Sequence, residues 1–554
     1  MTRSRRFFGG LRLSYLYQAV VMVTGLWLTP FLLKHLGQHD YGLWLVGLQT
    51  LSYLVLMDFG VVALLPRATA YATGHAIRGT DGGDLADLVG RTARIVLYQT
   101  PMVALAVAVM YWVVPMGPAI RGPILVAMLG FALLFPLRIF QAVLHGLQES
   151  PYLGKLQFVS WGVSTALMVL LIWRGVGLYS LAVGWVLGQL LPALLSFYRL
   201  KTAFPNVLPS RLPKLERKDL FRALTSGTWV SVAQIAQVLV AGTDFVIIGK
   251  LLGPSVVVPY ACTQKLIGVL ANQPHMIMEM AAPGLSQMKT SESREVIFRV
   301  CNALALGMLS VSGLVACVAL AVNHSFVSWW IGERQFGGPL LTIAFVASML
   351  LRQWSNTSMY TIFALGYERR ISITTLIDGM VSLSAGLVLV RWLGPIGAPC
   401  GSILGICLVS IPGNLSALAR ELEVSIFAVA ASIWSWFWRF VIVAVFAGVL
   451  GLWWHASFLY IAATASITGL IYTAVMLPMI MQSHLRLYIP ERITRVWDAV
   501  WSRFSWNGPG TSGPALEASS IEPIIEPVIE PVIQPIQEPI REPLGEPVEA
   551  PKNR

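Results

Sequence analysis

The sequence predicts an all-α integral membrane protein of about 14 transmembrane helices: two six-helix halves and two extra C-terminal helices. Three observations predict it. Apolar stretches long enough to cross a hydrocarbon layer of about 30 Å recur along the whole chain. The 554 residues are 56% hydrophobic and only 12% charged, with a mean hydropathy of +0.69, where a soluble domain carries roughly 25% charged residues. Lys and Arg also sort to one side of the apolar stretches, as membrane insertion requires.

The predicted spans are 11–33, 41–65, 93–115, 124–147, 156–173, 178–198, 222–250, 255–283, 297–322, 339–365, 371–391, 395–418, 432–453 and 456–481. Arg3, Arg5, Arg6 and Arg12 precede the first span, which lacks a small-residue cleavage site and reads as an uncleaved signal-anchor. With that end inside, 29 of the 39 basic residues lie inside and 6 outside. The densest inside cluster is Arg199, Lys201, Arg211, Lys214, Arg217, Lys218 and Arg222. This asymmetry predicts both termini in the cytoplasm. It also accounts for the +12 net charge through anionic membrane lipids, with no need of nucleic acid. All five cysteines (Cys262, Cys301, Cys317, Cys400, Cys407) fall inside spans without CxxC spacing, so neither a disulfide framework nor structural zinc is implied.

The outside loops are too short for a catalytic domain, which argues against a membrane glycosyltransferase or polymerase. No phosphate-binding G-x-x-x-x-G-K-[ST] loop occurs, which argues against direct ATP drive. The chain reads as a transporter, with no catalytic residue, metal or cofactor expected. Lys34-His35-Leu36-Gly37 ends span 1 and Lys250-Leu251-Leu252-Gly253 ends span 7; Arg174-Gly175-Val176-Gly177 ends span 5 and Arg391-Trp392-Leu393-Gly394 ends span 11. Both pairs are offset by six spans, which predicts halves 1–200 and 222–420 in the same orientation, joined by a basic linker 201–221. Residues 421–482 hold spans 13 and 14. Residues 483–510, with Trp497, Trp501 and Trp506 among arginines, suit a helix on the inner membrane surface. Residues 511–554 carry proline every four residues from Pro523 to Pro551, which forbids helix and predicts an extended tail. That tail is either a linker or a docking peptide.

Ionisable groups at bilayer depth cost a few kcal/mol and face a partner, a cavity or water. Arg138, Gln141, His145 and Gln148 share one face of span 4, and Lys265, Asn272, His275 and Glu279 one face of span 8. Arg352, Ser355 and Asn356 do so on span 10, and Gln234, Gln237 and Asp244 on span 7. Four polar stripes predict a hydrated central cavity. Arg138, Lys265 and Arg352 make it cationic, and Arg suits phosphate because its planar fork pairs with two oxygens. Each of these cations could instead be held by one buried acid such as Asp244 or Glu279 as a structural pair. Asp378, two turns into span 11, admits either role, and Arg439 near the end of span 13 snorkels. The histidines read as hydrogen-bonded fillers.

Several motifs resemble the polysaccharide and O-antigen flippases of the multidrug/oligosaccharidyl-lipid/polysaccharide (MOP) exporter superfamily. They are Pro30-Phe31-Leu32-Leu33-Lys34-His35-Leu36-Gly37 with Tyr41-Gly42-Leu43-Trp44, Met57-Asp58-Phe59-Gly60 with Arg67, and Thr243-Asp244-Phe245-Val246-Ile247-Ile248-Gly249-Lys250 with Tyr260. The resemblance covers roughly residues 10–480 and implies a MATE-like fold. It further implies a flippase that moves a polyprenyl-diphosphate-linked oligosaccharide outward across a bacterial inner membrane by alternating access. Partner polysaccharide polymerase or export proteins follow from the same resemblance. Asp58 and Asp244 match family positions without an assigned role. A multidrug antiporter of the superfamily and a scaffold for glycan-assembly enzymes are the alternatives; the sugar and the coupling ion are not encoded legibly.

Overall fold

The computed structural model describes residues 3–77, 85–113, 117–147, 149–209, 212–213, 228, 230–232, 234–239, 243–291 and 293–483. Helix follows helix from the first described residue onward. The first half contains α1 (Arg3–Leu36), α2 (Gln38–Leu54), α3 (Val61–Ile77), α4 (Leu85–Val113), α5 (Pro118–Leu134), α6 (Arg138–Gly146), α7 (Ser150–Trp173) and α8 (Tyr179–Ala203). Then come α9 (Asp244–Leu251), α10 (Pro254–Ser291), α11 (Arg294–Ile331), α12 (Pro339–Ala364), α13 (Glu368–Leu393), α14 (Gly397–Gly405), α15 (Ile411–Leu422), α16 (Ile426–Ala431), α17 (Trp434–Leu450) and α18 (Phe458–Gln482). No strand occurs among the described residues.

Every expected span contains helical residues among those described. Among the described residues, seven helices are long and apolar enough to cross a membrane, and nine if each bent pair is one span. The first bent pair, Gln38–Asp58 with Val61–Ala70, turns by 56°. At this break Phe59 takes φ +47° and Gly60 φ +73°. A left-handed phenylalanine is unusual, and Asp58 helps to hold it by accepting the Gly60 N–H at 2.8 Å. The second pair, Val230–Leu239 with Asp244–Leu251, bends by 42°, so both breaks carry an aspartate. The glycines of the four repeat motifs (Gly37, Gly175 and Gly177, Gly253, Gly394) all have positive φ at or just beyond helix ends.

Buried apolar side chains gather into two main clusters. One draws on positions 32–207, the other on 247–479. Helices α17 and α18 belong to the second: Trp436 donates to the Tyr472 hydroxyl at 3.2 Å, which donates to the Ser310 carbonyl of α11 at 2.9 Å. The two regions meet where α2 crosses α10. Gln38 donates to the Ser255 carbonyl at 2.7 Å and accepts from the Gln335 amide at 3.0 Å, while Trp330 of α11 donates to Leu26 of α1. Gly42 lies against the Pro254 carbonyl so closely that a Cβ there would overlap it. Of the basic linker, residues 201–209 and 212–213 are described; the Pro213 carbonyl accepts from Arg94 of α4 at 2.6 Å. The membrane-surface segment from 484 and the proline tail lie outside the described residues.

Candidate transport cavity

The break before α9 places Asp244 at the start of a helix, and α12 and α14 face it. Together with α10 they enclose a cavity of about 430 Å³ lined by polar as well as apolar groups. Its polar lining is Gln237, Asp244, Gln264, Ser348, Arg352, Gln353 and Ser402. On α12 the lining positions 345, 348, 349, 352 and 353 form one helical face, as do 264, 267, 268 and 271 on α10.

Arg352 is the cation of this cavity, and it does not stand free. Its Nη1 pairs with Oδ2 of Asp378 on α13, a residue with no exposed surface. Asp378 is fixed further by the Ser382 hydroxyl at 3.0 Å and the Ser410 hydroxyl at 2.6 Å. Ser382 follows Asp378 by one helical turn. Ser410 reaches it because residues Ile406–Ser410 form a π-helical turn between α14 and α15, a device that shifts helix register and concentrates at functional sites. Gly405 packs against the same aspartate and serine, where a Cβ would strike Ser382 Oγ and Asp378 Oδ1. Across the cavity Asp244 accepts the Tyr260 hydroxyl at 2.6 Å and lies within electrostatic reach of Arg352. The guanidinium thus pairs with Asp378 and shares its cavity with Asp244. Gln353 donates to the Ala271 carbonyl at 2.9 Å, leaving its buried Oε1 without a partner.

The structure divides the expected cationic set. Of the cavity candidates, Arg352 and Gln237 line this cavity. Arg138 lies at the junction of the 135–137 turn with α6, in the first region, with its guanidinium 5.7 Å and 5.9 Å from the ring centres of Phe131 and Phe135. Its Nη1 is buried without a hydrogen-bond partner, and buried Asp58 is its electrostatic counterpart. Gln141 is half-buried and His145 exposed on the same helix. Lys265 also departs from expectation: its Nζ sits 3.7 Å from where a Cβ on Gly25 of α1 would lie. The reason is register, because position 265 is turned by about 100° from the lining face of α10. Asn356, one turn beyond Arg352, is half-buried and absent from the lining, and Ser355 instead accepts from Asn414 at 3.0 Å. The side chains of Gln148, Asn272, His275 and Glu279 lie outside the described residues. Arg439 stays near its own helix, bonded to the Ser435 carbonyl at 3.0 Å and over the Trp438 ring. Sequence reasoning missed Tyr260, Ser382 and Ser410 as partners of the acids; the i, i+4 spacing of Asp378 and Ser382 was the one available signal.

Residues 102–335 match the family described as polysaccharide biosynthesis protein. The chain is 21% identical over 408 residues to the uncharacterized membrane protein EpsK of Bacillus subtilis (strain 168), covering 71% of this chain and 77% of that one. Among solved structures it resembles the lipid II flippase MurJ in an inward closed conformation, with a TM-score of 0.58 at 11% identity, covering 85% of this chain and 100% of that one. An inward-facing MATE family transporter of the MOP superfamily matches with a TM-score of 0.51 at 14% identity over 76% of this chain and 95% of that one. The chain shares the fold of these two structures. The motifs around Gly37, Asp58 and Asp244 pointed to that fold, and the long apolar helices mark a multi-pass membrane protein.

Proposed function

We propose that this protein is a flippase of the MOP superfamily for a polyprenyl-diphosphate-linked oligosaccharide, acting by alternating access in a bacterial inner membrane with both termini cytoplasmic. The observation that carries the reading is the cavity around Arg352, where one guanidinium and the amides of Gln237, Gln264 and Gln353 offer donors to diphosphate and sugar oxygens. The polysaccharide biosynthesis match over 102–335 supports the same cargo class. Residues 1–200 and 222–420 act as the rocking halves, and the two separate buried clusters support that division. With the Gly37 end outside, the α2–α10 contacts close the outer side. O-antigen, capsule or exopolysaccharide assembly would use such a carrier, in company with polymerase and export proteins.

Depletion of the protein tests this. The expected result is accumulation of a diphosphate-linked saccharide lipid on the inner leaflet and loss of surface polysaccharide. A second reading has one observation in its favour: Asp244 shares the cavity with Arg352, and an acid beside a balanced cation suits a cationic drug. Under that reading depletion raises drug sensitivity and leaves lipid-linked saccharides unchanged.

A further inference from the structure

We infer that Arg352 is a latched cation: it rests on Asp378 while the cavity is empty and is handed to the anionic cargo when it enters. This rests on the flippase reading and specifies how its cavity is regulated. Three features of the geometry carry it. Asp378 has no exposed surface and is held at both oxygens, by Ser382 at 3.0 Å and Ser410 at 2.6 Å, so it cannot follow Arg352. Arg352 keeps about a fifth of its side chain accessible and lines the cavity, so it is the member of the pair that can turn. Asp244, the acid on the far wall, is already bonded to Tyr260.

The two serines also set the strength of the latch. Each donates a hydrogen bond to the carboxylate and satisfies part of its charge, so Asp378 holds Arg352 less firmly than a bare buried carboxylate would. Asp378 is therefore a positioning residue: it keeps the guanidinium satisfied in the empty cavity and takes it back when cargo leaves.

The test uses the full chain in lipid nanodiscs and inorganic pyrophosphate as the probe, titrated calorimetrically. Asp378→Asn removes the competing charge, so pyrophosphate should bind about tenfold more tightly. Adding Arg352→Ala to that variant should abolish the gain. Ser410→Ala should act in the opposite direction, weakening pyrophosphate about threefold because a less satisfied Asp378 grips Arg352 harder. In a flipping assay Asp378→Asn should lower both the half-saturating lipid concentration and the maximal rate. Pyrophosphate affinity in Asp378→Asn equal to or weaker than wild type, or a gain that survives loss of Arg352, overturns the latch. If Asp378→Asn does not fold, Ser410→Ala decides alone, and unchanged or tighter binding overturns it. The two proposals separate cleanly: saccharide-lipid flipping without the affinity changes removes the latch only, whereas the affinity changes without flipping leave the latch and remove the cargo.

Discussion

The two buried arginines, Arg138 in the first region and Arg352 in the second, have similar parts around them and different surroundings. Each has a buried aspartate as electrostatic counterpart, and each region has an aspartate at a helix break. Arg138, however, is roofed by Phe131 and Phe135 and leaves one N–H unpartnered. Arg352 opens on a cavity of about 430 Å³ and has its aspartate braced by two serines. Charge at bilayer depth thus has two forms here, one sealed among rings and one held beside a space. The comparison teaches that a charged residue in a predicted span is informative about function only once its neighbours are known.

The largest expected effect breaks the sealed member. Arg138→Ala leaves Asp58 buried without its counter-charge, at a cost of about 3–5 kcal/mol. Membrane level and activity should fall together, as immunoblots and a thermal melt of the purified protein would show. A stable Arg138→Ala protein that has lost transport would place Arg138 with Arg352. Next in size, Arg352→Ala should abolish transport and cost about 3 kcal/mol of stability, the low end of the range for breaking a buried pair, since Asp378 keeps both serine donors. Arg352→Lys should restore part of the transport, because charge returns but the two-pronged geometry does not. Lys265→Ala should leave pyrophosphate binding within about twofold of wild type, because its ammonium faces Gly25 and not the cavity; a tenfold loss would put it back in the site. The smallest effect is expected from removing residues 515–554. A proline every four residues cannot pack into a helical core, so insertion and flipping should stay nearly intact, and loss of flipping at normal protein level would reveal a docking role.

Much of this was legible in hydropathy and glycine placement. The glycines of the four motifs take positive φ at or just beyond helix ends, and Asp244 and Arg352 line one cavity. Three things were hidden for physical reasons. Stripe reading on α10 chose the face of Lys265, yet the lining runs through Gln264, Gly268 and Ala271, one position off, because small residues line a cavity as well as charged ones. Ser410 could not be paired with Asp378, since a π-turn breaks the 3.6-residue period on which face assignments rest. Pro399 and Ser402 on α14 carry no charge to mark them, although they close one wall. Among the described residues, length and composition mark seven to nine of the fourteen expected crossings, and long helices such as α10 mix polar residues with apolar ones.

The crossing of α2 and α10 sets an energy scale for opening. Backbone meets backbone at Gly42 and Pro254, and on either side of that point Tyr41, Leu45 and Val46 of α2 pack against buried clusters that include Val257, Val258 and Cys262 of α10. The polar part of that seam is four hydrogen bonds, from Gln38, Gln335 and Trp330 and between Ser255 and His39, together worth about 4 kcal/mol at roughly 1 kcal/mol each. Driving a two-state equilibrium from 1:99 to 99:1 takes about 5.5 kcal/mol of differential affinity. The polar part of the joint lies within the range that the binding energy of a single cargo molecule can overcome, and the apolar contacts beside it add to what opening must supply.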